Sequence, residues 1–171
     1  FTALLKCFGS AKGAWLAKQI ELKEILGEVL SVKFDTFRNK FPLIGYAKAL
    51  EKKGVDFLTL NDKEYPKLLT QIPNPPFVLY VKGDKEILNQ VQNDKFMAVV
   101  GTRKITQYGE EVTRILTGDL VRAGFTIVSG LAIGVDAVSH KTALEEKGKT
   151  IAVLGCGVDC CFPSVNQRIY N

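Results

Sequence analysis

The sequence is poor in features that mark membrane or secreted proteins. Its 171 residues contain no apolar run of roughly 18 residues, the length that a membrane-spanning helix needs. No charged segment precedes the apolar start at Phe1, so a secretory signal peptide is not expected. The first residue is not methionine, and we expect that residues are missing upstream. These absences predict a cytoplasmic protein without a membrane span.

Residues that form metal sites and disulfides are also scarce. The four cysteines are Cys7, Cys156, Cys160 and Cys161, and no two have C-x-x-C spacing. Cys156, Cys160 and Cys161 lie close together in the sequence, but no group of histidines or further cysteines stands at the spacing that a zinc site needs. We therefore expect reduced, partly buried thiols, no metal and no other cofactor.

The charge is unbalanced towards the positive side. The net charge is +5 and the isoelectric point is about 9.0. This balance favours a polyanionic partner such as a nucleic acid, and it also fits a mildly basic protein with no such partner.

Residues 1–54 have the periodicity of helices. Ser10 is a candidate N-cap, and Pro42 ends one helix before a last short helix at residues 46–53. Apolar residues at helical spacing and the aromatic residues around them are predicted to form the core of this part: Trp15, Leu22, Ile25, Leu26, Val29, Leu30, Phe34, Phe37 and Phe41.

The remainder of the chain alternates strands with helices. Short strands are predicted at residues 55–60 and 77–81, with prolines between them. Strands at 96–100, 125–128 and 150–154 then alternate with helices at 107–122 and 134–147. Thr106 is the predicted N-cap of the first helix, and Val112, Ile115, Leu116 and Leu120 are predicted to lie on one side of it.

This alternation predicts an α/β fold: a partial Rossmann-like, doubly wound parallel sheet preceded by a small all-α domain. Three strands and two helices make half of such a sheet and would leave one edge bare. We expect the natural protein to continue beyond residue 171.

Each of the three later strands ends in a turn that contains glycine. Ligands bind at the carboxyl edge of an open parallel sheet, and N–H groups at helix N-termini favour phosphate. The dinucleotide pattern G-x-G-x-x-G is absent after the first of these strands, as is a Walker A loop, which disfavours classical NAD or ATP binding. The turns are Gly101-Thr102-Arg103, residues 129–134 and Gly155-Cys156-Gly157.

The single histidine, His140, stands four residues after Asp136 on the second predicted helix. One helical turn would let the two side chains pair. We interpret the pair as structural rather than catalytic, because no nucleophile is evident nearby.

The order of these motifs resembles the DNA-processing protein A (DprA/Smf) family over about residues 55–171. The helical start resembles the family's sterile-alpha-motif-like (SAM-like) domain less closely. The domains implied are therefore residues 1–54 and residues 55–171, the second incomplete at its C-terminus. The segments that carry the resemblance are Tyr65-Pro66, Pro75-Pro76, residues 99–103, Tyr108-Gly109, residues 127–136 with His140, residues 150–157, and Phe162-Pro163 with Asn166.

The resemblance implies a non-enzymatic protein that binds single-stranded DNA, protects it and loads the RecA recombinase in natural transformation, with a homodimer in the full-length protein. Arg103 takes the place of the family's arginine in a G-S-R turn, with Thr102 in place of serine. Ile133 and Ser164 stand where members often have basic residues, and Arg168 is expected to compensate in part. The implied DNA-binding residues are Gly101, Thr102, Arg103, Ser129, Gly130, Leu131, Ala132, Gly134 and Arg168.

Two other functions stay open. A nucleotide-processing enzyme of the LOG-like Rossmann group would need a P-G-G-x-G-T-like loop with a glutamate, which this sequence lacks. A protein-interaction domain, in which the N-terminal helices bind a regulator, is the third.

Overall fold

The computed structural model describes residues 1–84 and 95–171. The chain forms two compact units, residues 1–49 and residues 50–171. The domains inferred from the sequence, with a boundary after residue 54, stay a prediction.

The first unit is helical. It contains α1 (Thr2–Phe8), α2 (Ala11–Leu16), α3 (Gln19–Lys40) and the start of α4 (Leu43–Lys52), which begins three residues earlier than predicted. Ser10 caps α2 by accepting a hydrogen bond from the N–H of Gly13 at 3.0 Å. Its core is built from Leu4, Ala14, Ala17 and Leu22.

The predicted apolar stripe of α3 is only partly buried. Leu22 is fully buried, whereas Val29 and Leu30 are 65% and 56% exposed. Gly27 interrupts the helix with φ 75°, so residues after it no longer follow the face that Leu22 sets. The stripe prediction was therefore wrong beyond Gly27.

The aromatic cluster of this unit is packed edge to face rather than enclosed. The Trp15 ring centroid lies 5.9 Å from that of Phe34 and 6.3 Å from that of Phe37. Phe37 is nevertheless 52% exposed, so the prediction that the whole stripe is core was wrong at this residue.

The second unit begins with a small antiparallel sheet of β1 (Val55–Thr59) and β2 (Val78–Lys82), with α5 (Lys67–Thr70) between them. The register pairs Val55 with Lys82 and Thr59 with Val78. The hydroxyl of buried Tyr65 donates to the carbonyl of Pro76 at 2.7 Å, which holds the proline-rich connection in place.

A three-stranded parallel sheet follows, in the order β3 (Lys95–Ala98), β4 (Phe125–Ser129) and β5 (Thr150–Ala152). Helices α6 (Gln107–Arg122) and α7 (Val135–Glu145) connect the strands. The two helices pack against each other and both contact β4, so they cover one face of the sheet. The chain closes with a 3₁₀ turn (Ser164–Asn166) and α8 (Gln167–Tyr170).

This architecture confirms the predicted α/β class and the parallel βαβ units. Val112, Leu116 and Leu120 lie on one side of α6 and line a groove together with Met97 and Ala98 of β3. The buried residues of the helix are Thr113, Thr117 and Gly118, while Ile115 and Leu116 are 55% and 57% exposed.

Among the described residues, no helix combines the length and the hydrophobicity that crossing a bilayer requires.

Candidate nucleic-acid interface

The first turn, Gly101-Thr102-Arg103, follows β3 and leads to α6. The hydroxyl of Thr102 accepts a hydrogen bond from the backbone N–H of Lys104 at 3.1 Å, which tightens the turn. Thr106 then caps α6 by accepting from the N–H of Gly109 at 3.1 Å, as predicted. The turn is thus held by its own short polar side chains.

Two basic side chains project from this turn. Arg103 and Lys104 are both exposed, and neither side chain forms a hydrogen bond or ion pair with another residue in the described part of the chain. Most other arginines of the second unit are already engaged: Arg114 pairs with Glu110 and Glu145, and Arg122 with Asp119 and Glu146. Within the described residues, the guanidinium donors of Arg103 are therefore available to an external acceptor.

A groove of about 530 Å³ runs beside the first turn. Its polar end includes Thr102, Lys104 and Tyr108, and its remaining lining is mainly apolar. Tyr108 is 77% exposed at the start of α6, which places an aromatic ring at the groove that Thr102 and Lys104 also line. Residue spacing alone gives no site role to Lys104 or Tyr108.

The first turn lies directly against the beginning of α7. The N–H of Val135 donates to the carbonyl of Thr102 at 3.2 Å. Gly134 has φ 84°, and a side-chain carbon there would overlap the Thr102 carbonyl and lie 2.9 Å from the Cα of Arg103. A side-chain carbon at Gly101 would lie 2.7 Å from the Val135 side chain, so glycine at both positions lets the two turns meet.

The second turn, residues 129–134, is organised by Asp136. Its carboxylate accepts hydrogen bonds from the N–H groups of Gly130 at 3.1 Å and Ala132 at 3.4 Å. These donors were expected to face a phosphate, and in this structure a carboxylate of the same chain occupies them. The side chains of Ser129 and Leu131 are buried, and the Ser129 hydroxyl donates to the carbonyl of Val99 at 2.7 Å.

Asn166 fixes the second turn from the other side. Its buried amide donates to the carbonyls of Leu131 at 2.9 Å and Ala132 at 3.2 Å. Arg168 is exposed on α8, two residues later, without a partner among the residues that the structure describes. Arg168 therefore lies close along the chain to Asn166, which is hydrogen-bonded to the second turn. Among the described residues, no hydrogen bond or ion pair links Arg168 to Arg103.

His140 and Asp136 do not pair directly, so that interpretation was wrong. His140 is buried, and its Nδ1 lies 2.7 Å from the Thr150 hydroxyl, which itself donates to the Ile127 carbonyl. Burial lowers the pKa of His140 below its ordinary 6.5, and the charge of Asp136 raises it in part.

The third turn, Gly155-Cys156-Gly157, contains a cysteine and no charged residue. All four cysteines are free; Cys7, Cys156 and Cys160 are exposed rather than partly buried, because they lie at a helix and in turns on the surface. Across the described residues, no group of His, Cys, Asp or Glu is arranged to hold a metal ion.

Gly101, Thr102 and Gly134 bring the first and second turns into contact, and Arg103 is exposed to solvent. Residues 129–132 of the second turn are held in place by hydrogen bonds and do not present free donors at Gly130 and Ala132. Asp136 and Asn166 supply that bracing. The hydrogen bonds of these two residues depend on the tertiary fold, and the spacing of residues in the sequence does not predict them.

Comparison with known proteins places these features in a family. The sequence profile of the family described as DNA recombination-mediator protein A matches residues 56–171. The chain is 38% identical over 169 residues to Protein Smf of Synechocystis sp., covering 98% of this chain and 42% of that protein. It is 34% identical over 146 residues to DNA processing protein DprA of Bacillus subtilis, covering 85% of this chain and 48% of the relative.

Solved structures agree. DNA processing protein A from Streptococcus pneumoniae superposes with a TM-score of 0.78 at 28% identity, covering 99% of this chain and 56% of that one. The Helicobacter pylori protein, whose structure is described as showing a unique single-stranded DNA binding mode, gives 0.57 at 32% identity over 68% of this chain and 51% of that one.

The chain spans less than half the length of these two curated relatives, 42% and 48%. The match of motifs, profile and fold is continuous through the site, and the chain therefore belongs to the DNA recombination-mediator protein A family, which includes proteins named Smf and DprA.

Proposed function

We propose that this chain binds single-stranded DNA, and that the first turn contacts the phosphate backbone. The observation that carries the proposal is the pair Arg103 and Lys104, two exposed cations on a braced turn that have no acidic partner among residues 1–84 and 95–171. A guanidinium with all of its donors available suits a phosphate, because its planar fork matches two phosphate oxygens.

Tyr108 extends the proposal from phosphates to bases. Its exposed ring lines the same groove as Lys104 and Thr102. Unpaired bases stack on aromatic rings whatever their sequence, whereas bases within a duplex are already stacked on each other. A ring beside two cations therefore favours single strands over duplex.

The second turn has a supporting part in this proposal. Gly130 and Ala132 give their N–H groups to Asp136, so these donors hold the turn rather than the ligand. Gly101 and Gly134 allow the two turns to meet, and Arg168 on α8 adds positive charge from the far side of Asn166. The Helicobacter pylori relative, described as binding single-stranded DNA, supports the same ligand class.

The proposal extends to the longer protein of which this chain would be a part. There it would be a cytoplasmic homodimer that protects incoming single-stranded DNA and promotes RecA loading in natural transformation. Binding rather than catalysis is proposed, because the described site presents donors and cations around a groove and no nucleophile beside a base.

The experiment is fluorescence anisotropy of labelled oligo-dT with the full chain at several salt concentrations. Arg103→Ala is expected to weaken binding roughly 10- to 100-fold, since a hydrogen bond to a charged group contributes about 1.5–3 kcal/mol. The slope of log affinity against log salt is expected to fall by about 0.7, the contribution of one phosphate contact on a single strand.

Arg122→Ala is the matched control. It removes the same charge, but from the far end of the 16-residue helix α6, roughly 20 Å or more from the first turn. Equal loss in both variants, or equal binding of duplex DNA, would count against the first turn as the site. Release of free base from nucleoside monophosphates would favour the nucleotide-processing enzyme instead.

A further inference from the structure

The third turn and the three residues after it, together residues 155–160, carry two exposed thiols. Cys156 and Cys160 are both exposed, and the Cys156 sulfur lies 3.4 Å from the backbone carbonyl oxygen of Cys160. The N–H of Cys160 donates to the carbonyl of Gly157 at 3.0 Å, which reverses the chain between the two residues. The turn therefore brings the Cys156 sulfur next to the backbone of Cys160.

We propose that Cys156 and Cys160 form a reversible disulfide that closes the third turn when the protein meets a hydroperoxide. The proposal does not depend on DNA binding. A disulfide requires Cα atoms within about 7 Å, and the short reversed chain, with the Cys156 sulfur 3.4 Å from the backbone of Cys160, is the observation from which we infer that the two residues can meet this requirement.

The contacts of the intervening residues support this closure. Asp159 forms an ion pair with Lys53 at 2.6 Å, and the Val158 carbonyl accepts from the Tyr170 hydroxyl at 2.6 Å. These contacts hold the turn in its reversed shape while both thiols face solvent, where an oxidant reaches them. The loop to be closed is short, so its entropic cost is small.

Cys161 is a poorer partner for either residue. Its sulfur is directed to the carbonyl of Pro163 at 3.4 Å, on the other side of the chain, and it is only half-exposed. Cys7 belongs to the helical unit. The geometry thus selects one pair among the four thiols.

The reaction balances with a hydroperoxide as the oxidant. One thiolate attacks the peroxide oxygen, the O–O bond breaks, and a sulfenic acid and an alcohol or water are formed. The second thiol attacks the sulfenic sulfur, the S–S bond forms and water leaves. Two thiols are oxidised, the peroxide is reduced, and a dithiol reductant reverses the bond.

The test is alkylation and intact-mass measurement of the full chain after treatment with hydrogen peroxide. Wild type is expected to keep two of its four alkylatable thiols, with all four restored by dithiothreitol. Cys7→Ser and Cys161→Ser are expected to lose a pair of thiols as wild type does, whereas Cys156→Ser and Cys160→Ser are not.

Any of five results would overturn the proposal. Wild type could lose no thiols, or lose them in a form that dithiothreitol does not restore. Cys156→Ser or Cys160→Ser could still lose a pair, or Cys161→Ser could fail to lose one, each of which assigns the bond elsewhere. A cross-linked dimer on a non-reducing gel would show that the thiols react between chains.

Discussion

Arg103 and Tyr108 show what single residues contribute to the candidate interface. Arg103 is exposed on a turn whose shape is fixed by Thr102 and by the contact of Gly134, so its position is set by its neighbours while its charge stays available. Tyr108 belongs to one of the segments that resemble the family, but its role could not be predicted because residue spacing does not say whether an aromatic ring is buried.

Tyr108→Ala is expected to weaken oligo-dT binding by roughly 5- to 100-fold, because stacking of a base on an aromatic ring contributes about 1–3 kcal/mol. Tyr108→Phe keeps the ring and is expected to bind as wild type does. Anisotropy titration at one salt concentration measures both. A loss in the phenylalanine variant equal to that in the alanine variant would assign the effect to the hydroxyl and contradict stacking.

Gly134→Ala is expected to destabilise the second unit by at least about 2 kcal/mol, since φ 84° is unfavourable for a side chain and the added carbon would overlap the Thr102 carbonyl. Urea unfolding followed by circular dichroism measures the change. Gly155→Ala is the control: no atom lies within 4 Å of a side-chain carbon there, and its φ is not in the left-handed region. Similar losses in both variants would refute the close approach.

At the scale of the element, capping and the choice of buried face are separate problems. The bounds of α6 and its Thr106 cap agree with the sequence prediction because both are local. Its buried residues are Thr113, Thr117 and Gly118, which a hydrophobic pattern does not select because that pattern gives weight to larger apolar side chains.

Thr106→Ala is expected to cost about 1 kcal/mol of the free energy of unfolding, because the N–H of Gly109 loses its acceptor. Thr106→Ser keeps the hydroxyl and is expected to lose far less. Urea denaturation midpoints compare the two variants with wild type. If serine and alanine were equally destabilising, the methyl group rather than the cap would be the cause.

At the scale of the whole molecule, His140, the one histidine of the sequence, is expected to make the free energy of unfolding depend on pH at and below 6.5. The folded pKa of His140 is lowered by burial, so folding disfavours its protonated form. Its contribution to stability is fully present above the unfolded value of 6.5 and is lost as the pH falls through the lower folded pKa.

Unfolding free energy is therefore expected to fall as the pH is lowered from 7 towards 5, by up to about 1.4 kcal/mol per pH unit. Asp62 and Asp159 have lowered pKa values, caused by hydrogen bonds from Thr59 and Lys53 respectively, so their effects lie at more acid pH, below the ordinary 3.8. His140→Gln is expected to flatten the dependence between pH 7 and 5. Urea unfolding at several pH values is the measurement, and an unchanged slope in that variant would exclude His140 as its source.

The sequence by itself determined the α/β class, the bounds of α6, its cap and the turn that carries Arg103, because hydrophobic periodicity, capping residues and glycine placement act over a few residues. Only the tertiary structure decided that Asp136 takes the N–H groups of the second turn, that Asn166 holds that turn, and that the Cys156 sulfur contacts the Cys160 carbonyl. These contacts join atoms that become neighbours only after the chain reverses, and hydrogen bonds depend on the distance and direction of atoms that residue spacing does not specify.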